Sequence, residues 1–291
     1  MTISGKPSTA TTDRIIQKVR GQGFRQFIEW VGGDDGHLNP VFIATFAHPT
    51  AGHIEAFCKL YPYRNGKDRG LVNEITGYLF GRALEVPQPD HAFLANIPIK
   101  YLRDTAVRLG QNHWLNSLDT GSEYPAFCTS RLDGKSAAIH LPESEVPILL
   151  EDVAGWINLP RAISLDENIA HTDRHLNNLI RLGRKRYAVI DNGRLVNPDD
   201  ECWTRDMLET YKLYRNRLSE HVWNHNPPED SIGNLILFAA GHAAAYSKIS
   251  DELNYWLRLL LPDDHAVFEQ FLRERSTDME WLVKRRYNRL V

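Results

Sequence analysis

Asp173-Arg-His-Leu-Asn-Asn178, followed thirteen residues later by Asp191-Asn-Gly193, sets two carboxylates and one amide at a spacing that suits metal-assisted phosphoryl transfer. In that chemistry an aspartate orients or deprotonates a hydroxyl. An asparagine five residues on and a second aspartate hold Mg²⁺ against the phosphates of ATP. Mg²⁺ is a hard ion whose usual partners are one or two carboxylates, substrate phosphates and water. The residue types therefore point to a kinase. Taken singly, each also has an ordinary reading: Asp173 bonding its own backbone at a turn, Asn178 as a helix C-cap, Asp191-Asn-Gly193 as a plain turn after a strand.

The nucleotide side calls for a cation. Lys59 lies in Ile54-Glu-Ala-Phe-Cys-Lys-Leu-Tyr61, where alternation puts Ala56, Cys58 and Leu60 on one face and Phe57 and Lys59 on the other. A lysine on a strand is ordinarily a solvated surface residue. As a point charge on ATP phosphates it would need a partner to hold it, and Glu74, fifteen residues on, is the candidate. Occurring together and in order, the five polar residues are harder to explain as separate surface features.

The elements around these residues follow from periodicity. Residues 24–31, 41–46 and 54–61 read as strands separated by the turn clusters 32–36 and 48–53; the first could equally form a short helix. Leu71, Ile75, Tyr78 and Leu79 recur at helical spacing within 68–84, with Asp68 as N-cap and Pro87 and Pro89 as stops. Residues 91–97 and 124–129 add strands, and 131–134 a turn or hinge. A small antiparallel sheet with one packed helix is the expected product. Beyond it, 143–157, 160–170, 203–223, 231–246 and 265–287 read as helices. Between them, 179–182 and 187–190 flank Gly183-Arg-Lys-Arg186 as a β-hairpin. A hairpin returns its ends close together, so Asn178 and Asp191 could converge on one ion.

Other chemistries fit less well. His171 and His175 lie four apart, as do His221 and His225, but Thr172 and Val222 stand where a zinc hydrolase would carry Glu. No Gly-x4-Gly-Lys-Ser/Thr loop occurs, and Gly21-Gln-Gly23 is only a fragment of a Gly-rich loop. Arg181, Arg184, Lys185 and Arg186 are simplest as a solvated hairpin tip.

With 291 residues, the chain can bury one large core or two. A formal charge of −3 gives no general attraction to nucleic acid or membrane surfaces, so direct nucleic-acid binding is not expected. The apolar run 235–246 is interrupted by Gly241 and His242 and is shorter than the ~20 residues a spanning helix needs, so no membrane segment is expected. Cys58, Cys128 and Cys202 are scattered and odd in number, which suggests reduced thiols and a cytoplasmic location. The Ser/Thr-rich residues 1–13 lack a signal-peptide core and read as a flexible arm.

At the level of motifs the chain resembles the HipA-like kinases. His171-Thr-Asp173-Arg-His175-Leu-Asn-Asn178 and Ala188-Val-Ile-Asp191-Asn-Gly193 are similar to their catalytic and metal-binding segments, an arrangement the phosphatidylinositol 3- and 4-kinases share. Residues 73–89 and 126–131 resemble the family's Glu-bearing helix and the segment between its lobes. The resemblance implies an α+β, two-lobed protein-kinase-like fold. Residues 14–130 would form a small β-rich, nucleotide-binding lobe with one helix, and 131–291 a larger, mainly helical lobe. It implies Asp173 as base or orienting carboxylate, His175 beside the transferred phosphate, Asn178 and Asp191 on Mg²⁺, Lys59 on ATP, and Glu74 holding Lys59. The expected acceptor is a Ser or Thr of a protein; a lipid or small-molecule acceptor, or a pseudokinase acting as a binding module, are the alternatives. Because the family includes toxin kinases, an antitoxin-type partner belongs to the same expectation. Asn192 replaces the Phe that protein kinases carry after their metal-binding Asp.

Overall fold

The computed structural model describes residues 14–19, 23–31, 39–62, 69–100, 102–103, 118–119, 121–224 and 226–289. The arm expected at 1–13, the turn at 32–36, Gly21, Asp68 and His225 lie outside them. Contacts divide the chain into two units, the first within residues 1–63 and 90–131, the second within 64–89 and 132–291. The fold is mixed α and β, with an N-terminal six-stranded sheet and a mostly helical C-terminal region.

In the first unit, β1 (Ile16–Val19), β2 (Phe24–Trp30), β3 (Val41–His48), β4 (Gly52–Leu60), β5 (Ala92–Pro98) and β6 (Glu123–Ser130) pair in the order β1-β5-β6-β4-β3-β2. Only β1 runs parallel to its neighbour, β5; the other pairs are antiparallel. The five strands read from periodicity are present, and β1 is an addition. Phe42, Phe46, Leu60, Phe93 and Ile97 fill the core beneath the sheet. Each such side chain contributes roughly 1.5–3 kcal/mol when fully buried. On β4, Ala56, Cys58 and Leu60 are buried while Phe57 and Lys59 are half-buried, the alternation the sequence implies. Cys58 and Cys128 sit opposite each other in the register as free thiols, and burial pushes Cys58 well up.

The second unit contains α1 (Gly70–Ala83), β7 (Lys135–Ser136), α2 (Val146–Ala154), α3 (Leu159–Asn168), β8 (Leu179–Gly183), β9 (Arg186–Val189), α4 (Arg217–Trp223), α5 (Glu229–Ala239), α6 (His242–Leu260), α7 (His265–Thr277) and α8 (Met279–Arg286). Helix α1 packs on α6 and α3, and so belongs to this unit, where the sequence reading grouped it with the sheet. It is buried on nearly every side, polar Asn73, Glu74 and Thr76 included. Strands β8 and β9 form the expected hairpin, and the two-residue β7 joins it as a third strand.

Three helical expectations need correction. Within 203–223 only α4 and a 3-10 turn at Arg205–Met207 are helical. Arg275 explains part of this: its Nη1 donates to the carbonyls of Thr210 and Lys212 at 2.8 and 2.9 Å, taking acceptors a helix would use. Trp203 is meanwhile drawn inward, stacked on Phe268 at 4.4 Å. The run 231–246 is two helices, α5 and α6, broken at Ala240-Gly241, where glycine lowers helix stability. The run 265–287 is broken at Asp278 between α7 and α8. Among the described residues no helix is long and apolar enough to cross a membrane.

Candidate functional site

Helix α3 ends at Asn168, capped by Ile169, and Ala170 turns the chain with a left-handed φ of 54°. The segment that follows runs antiparallel to the chain returning from the hairpin: His171 bridges Leu195, Thr172 N–H donates to Arg194 C=O, and Val196 N–H donates to Ala170 C=O at 2.7 Å. This ladder sets Asp173 beside the loop that begins at Asp191. At the hairpin's open end, Ile190 N–H donates to Asn178 C=O at 3.0 Å. The two motif halves therefore meet, as the hairpin argument requires.

The meeting is held by a buried arginine. Arg174, 0% exposed, pairs with Asp166 on α3 at 3.0 Å. Its remaining hydrogens go to the carbonyls of Ile190 and Asp191 and to Asn192 Oδ1, the last at 2.7 Å. One guanidinium thus ties the Asp173 loop to the Asp191 loop through a fork that lysine cannot reproduce. Burial pushes the Asp166 carboxyl up to about 6 against the pull of Arg174. His171 adds a second tie, receiving Asp173 N–H on Nδ1 at 3.2 Å and meeting Asp191 C=O with Nε2 at 3.0 Å. Nδ1 must then be the acceptor and Nε2 the donor, a neutral ring, in agreement with a pKa lowered by burial and by Arg174. Both ring nitrogens are engaged, so His171 has no lone pair for zinc.

Asn178 is buried and its Nδ2 donates to Asp173 C=O at 3.0 Å. The other end of the amide is an oxygen, an acceptor of the kind that can ligate a hard cation. Asp191 is exposed, adopts a left-handed φ of 59°, and receives Gly193 N–H on Oδ1 at 3.2 Å. An asparagine amide oxygen and an aspartate carboxylate are hard oxygen donors, and this donor set suits Mg²⁺. His175 is half-buried beside these groups. Burial lowers its pKa first, Asp173 and Asp191 oppose the shift, and Arg217 adds to it.

Helix α1 supports the Asp191 loop from below. Glu74, 3% exposed, receives Asn192 N–H at 2.8 Å, and Asn73 Nδ2 donates to Gly193 C=O at 2.6 Å. Gly77 allows the approach: a Cβ there would lie 2.3 Å from the Asn192 side chain. Lys59 stands on β4 in the first unit, its ammonium 5.6 Å from the Tyr61 ring centroid.

Sequence reasoning missed four contributors. Arg174 and Asn73 sit inside motifs already noted, next to Asp173 and Glu74. Arg194 follows Gly193 directly, so its proximity to the loop was available. Arg217 was not: it lies 44 residues from Asp173, yet both it and Arg194 pair with that carboxylate. Among the described residues no group of three or more His, Cys, Asp or Glu could hold a metal ion; the Asn178 and Asp191 pair is of a different kind. No protein-family model matches the chain, and a search of curated proteins finds no match.

Proposed function

We propose that this protein is an ATP- and Mg²⁺-dependent kinase with a two-lobed, protein-kinase-like fold, similar to the HipA-like kinases, that phosphorylates a Ser or Thr hydroxyl of a protein. The observation that carries the reading is the closure of the β8–β9 hairpin, where Ile190 N–H bonds Asn178 C=O and Asn178 in turn bonds Asp173. These bonds join Asp173, Asn178 and the chain leading into Asp191 in one hydrogen-bonded frame, which supports giving them the roles of orienting carboxylate and oxygen donors.

In this reading Asn178 and Asp191 would hold Mg²⁺, and Mg²⁺ bound with ATP supplies neutralisation of phosphate charge. Asp173 positions the acceptor hydroxyl. Both of its oxygens already receive guanidinium groups, so the hydroxyl must share one of them. His175 lies beside the transferred group, and its tendency to stay neutral lets it donate or accept a hydrogen bond there. By the resemblance, Lys59 would contact the ATP phosphates, while Glu74 holds Asn192 N–H and so supports the loop that begins at Asp191. The transfer forms a bond from the acceptor oxygen to the γ-phosphorus and breaks the bond to the β,γ-bridging oxygen. That electron pair leaves with ADP, and the hydroxyl proton leaves toward Asp173 or the phosphate.

The test is γ-labelled ATP with a cell lysate, comparing wild type with Asp191→Asn. Label on protein from the wild type alone, with an added mass of about 80 Da, supports the reading. ATP binding with no transfer by the wild type would instead make the protein a nucleotide-binding module.

A further inference from the structure

Asp173 faces two guanidinium groups. Arg194 Nη1 lies 3.1 Å from Oδ2, and Arg217 Nη1 holds Oδ1. A structural ion pair in this protein looks different: Arg174 is fully enclosed, and every one of its terminal nitrogens meets a protein acceptor. Arg194 and Arg217 are instead 30% and 32% exposed, around a carboxylate that is 15% exposed. One negative charge stands against two permanent positive ones.

Both cations are placed by built features. Arg194 is fixed by the ladder, its carbonyl receiving Thr172 N–H at 3.2 Å. Arg217 follows Asn216, which is buried, donates to Ile163 C=O at 2.9 Å and accepts Ser219 N–H at 3.1 Å. Arg217 Nε is steered by His221 Nε2 at 3.2 Å. Its neighbour Arg215 turns elsewhere, to Glu220 at 2.7 Å. A guanidinium carries five donors in a planar fork. Arg217 spends Nε on His221 and Nη1 on Asp173, and Nη2 meets no protein acceptor among the described residues. The second carboxylate whose charge reaches His175, Asp191, is assigned to the cation.

We propose that Arg194 and Arg217 form a clamp for a tetrahedral oxyanion, the phosphoryl group in transit to the hydroxyl that Asp173 orients; the identity of the anion rests on the kinase reading. Planar forks match phosphate oxygens in pairs, and an arginine placed beside a transferring phosphoryl group stabilises the charge that spreads over its oxygens. The two residues would then be catalytic, and Asp173 would hold them in position between turnovers.

The experiment is calorimetric titration of the full chain with inorganic phosphate, free of Mg²⁺ and at fixed ionic strength, alongside steady-state turnover. Arg217→Ala and Arg194→Ala should each weaken phosphate binding by about tenfold, the scale of one charge-assisted hydrogen bond. Each should also lower kcat more than it raises KM for ATP. Arg217→Lys should recover part of the phosphate affinity. Arg215→Ala, a nearby cation that faces away, should change neither. Each single variant leaves Asp173 one partner, so folding is preserved. Unchanged phosphate affinity in both alanine variants would overturn the clamp, as would an equal loss in Arg215→Ala, which would mean diffuse charge attraction. Arginine-dependent phosphate binding without any phosphoryl transfer by the wild type would sink the kinase reading and leave the clamp standing.

Discussion

The side-chain amide of Asn178 donates to the backbone carbonyl of Asp173 at 3.0 Å, while the Asn178 carbonyl receives Ile190 N–H at the same distance. One residue therefore closes the hairpin and orients the loop that carries the candidate orienting carboxylate.

These roles separate by substitution. Asn178→Asp keeps oxygen donors but loses the N–H to Asp173. Turnover should fall about three- to tenfold, the worth of one hydrogen bond, with the Mg²⁺ requirement unraised. Asn178→Ala loses both and should raise half-saturating Mg²⁺ as well. A Mg²⁺ titration of turnover distinguishes them, and an unaltered requirement in Asn178→Ala would remove Asn178 from the cation.

Gly77→Ala tests the seating of α1 against the Asp191 loop. The new Cβ would stand 2.3–2.6 Å from Asn192 side-chain atoms, and Asn192 is held in place by Arg174. Overpacking of this kind costs about 1–3 kcal/mol. Urea denaturation should show that loss, together with reduced Mg²⁺-dependent turnover because Asp191 moves with its loop.

Arg275 is enclosed beside α3 and donates to Asn168, Thr210 and Lys212 carbonyls at 2.8–2.9 Å. Its removal strands these carbonyls, while the Glu167 carboxylate keeps Arg286 at 2.7 Å. Arg275→Leu should therefore destabilise by about 3 kcal/mol, the scale of a few carbonyls left without donors, read as a lowered denaturation midpoint. Destabilisation below about 1 kcal/mol would mean that residues 208–216 hold their conformation without it.

His242 makes stability depend on pH. Buried against Ser164 at 2.8 Å, it is pushed by desolvation down to about 3. The unfolded chain protonates this ring near 6.5 and the folded one does not, so the unfolded state binds more protons between about 3 and 6.5. Stability is then retained above that window and lost as pH falls through it. His171 shifts in the same direction and adds to the slope. His242→Gln should flatten the acid limb, narrowing its gap to wild type by about 2 kcal/mol between pH 6.5 and 5. Parallel denaturation curves for the two proteins would exclude His242 as a source of the acid sensitivity.

Much of the frame is legible along the chain because it depends on local regularities. Strand alternation in β4, the apolar rows of α1 and the Gly183–Arg186 turn each show within a few residues, so β3 to β6 and the hairpin could be read directly, while β2 could be read only as a strand or a short helix. Strand β7, two residues long, has no period to detect. The stretch 203–223 misleads for a related reason. It reads as one helix, but Trp203 is stacked on Phe268 and the carbonyls at 210 and 212 are claimed by a residue more than sixty positions away.

Asp173, Asn178 and Asp191 stand in a motif, and the sequence by itself determined that they could meet, since a hairpin's ends must return together. Only the tertiary structure decided what surrounds that meeting. Arg174 threads both loops from a buried position, Glu74 supports Asn192 from α1, and Arg217 reaches Asp173 from 44 residues away. Contacts of that kind depend on how distant segments pack, and packing leaves no periodic trace in a single chain.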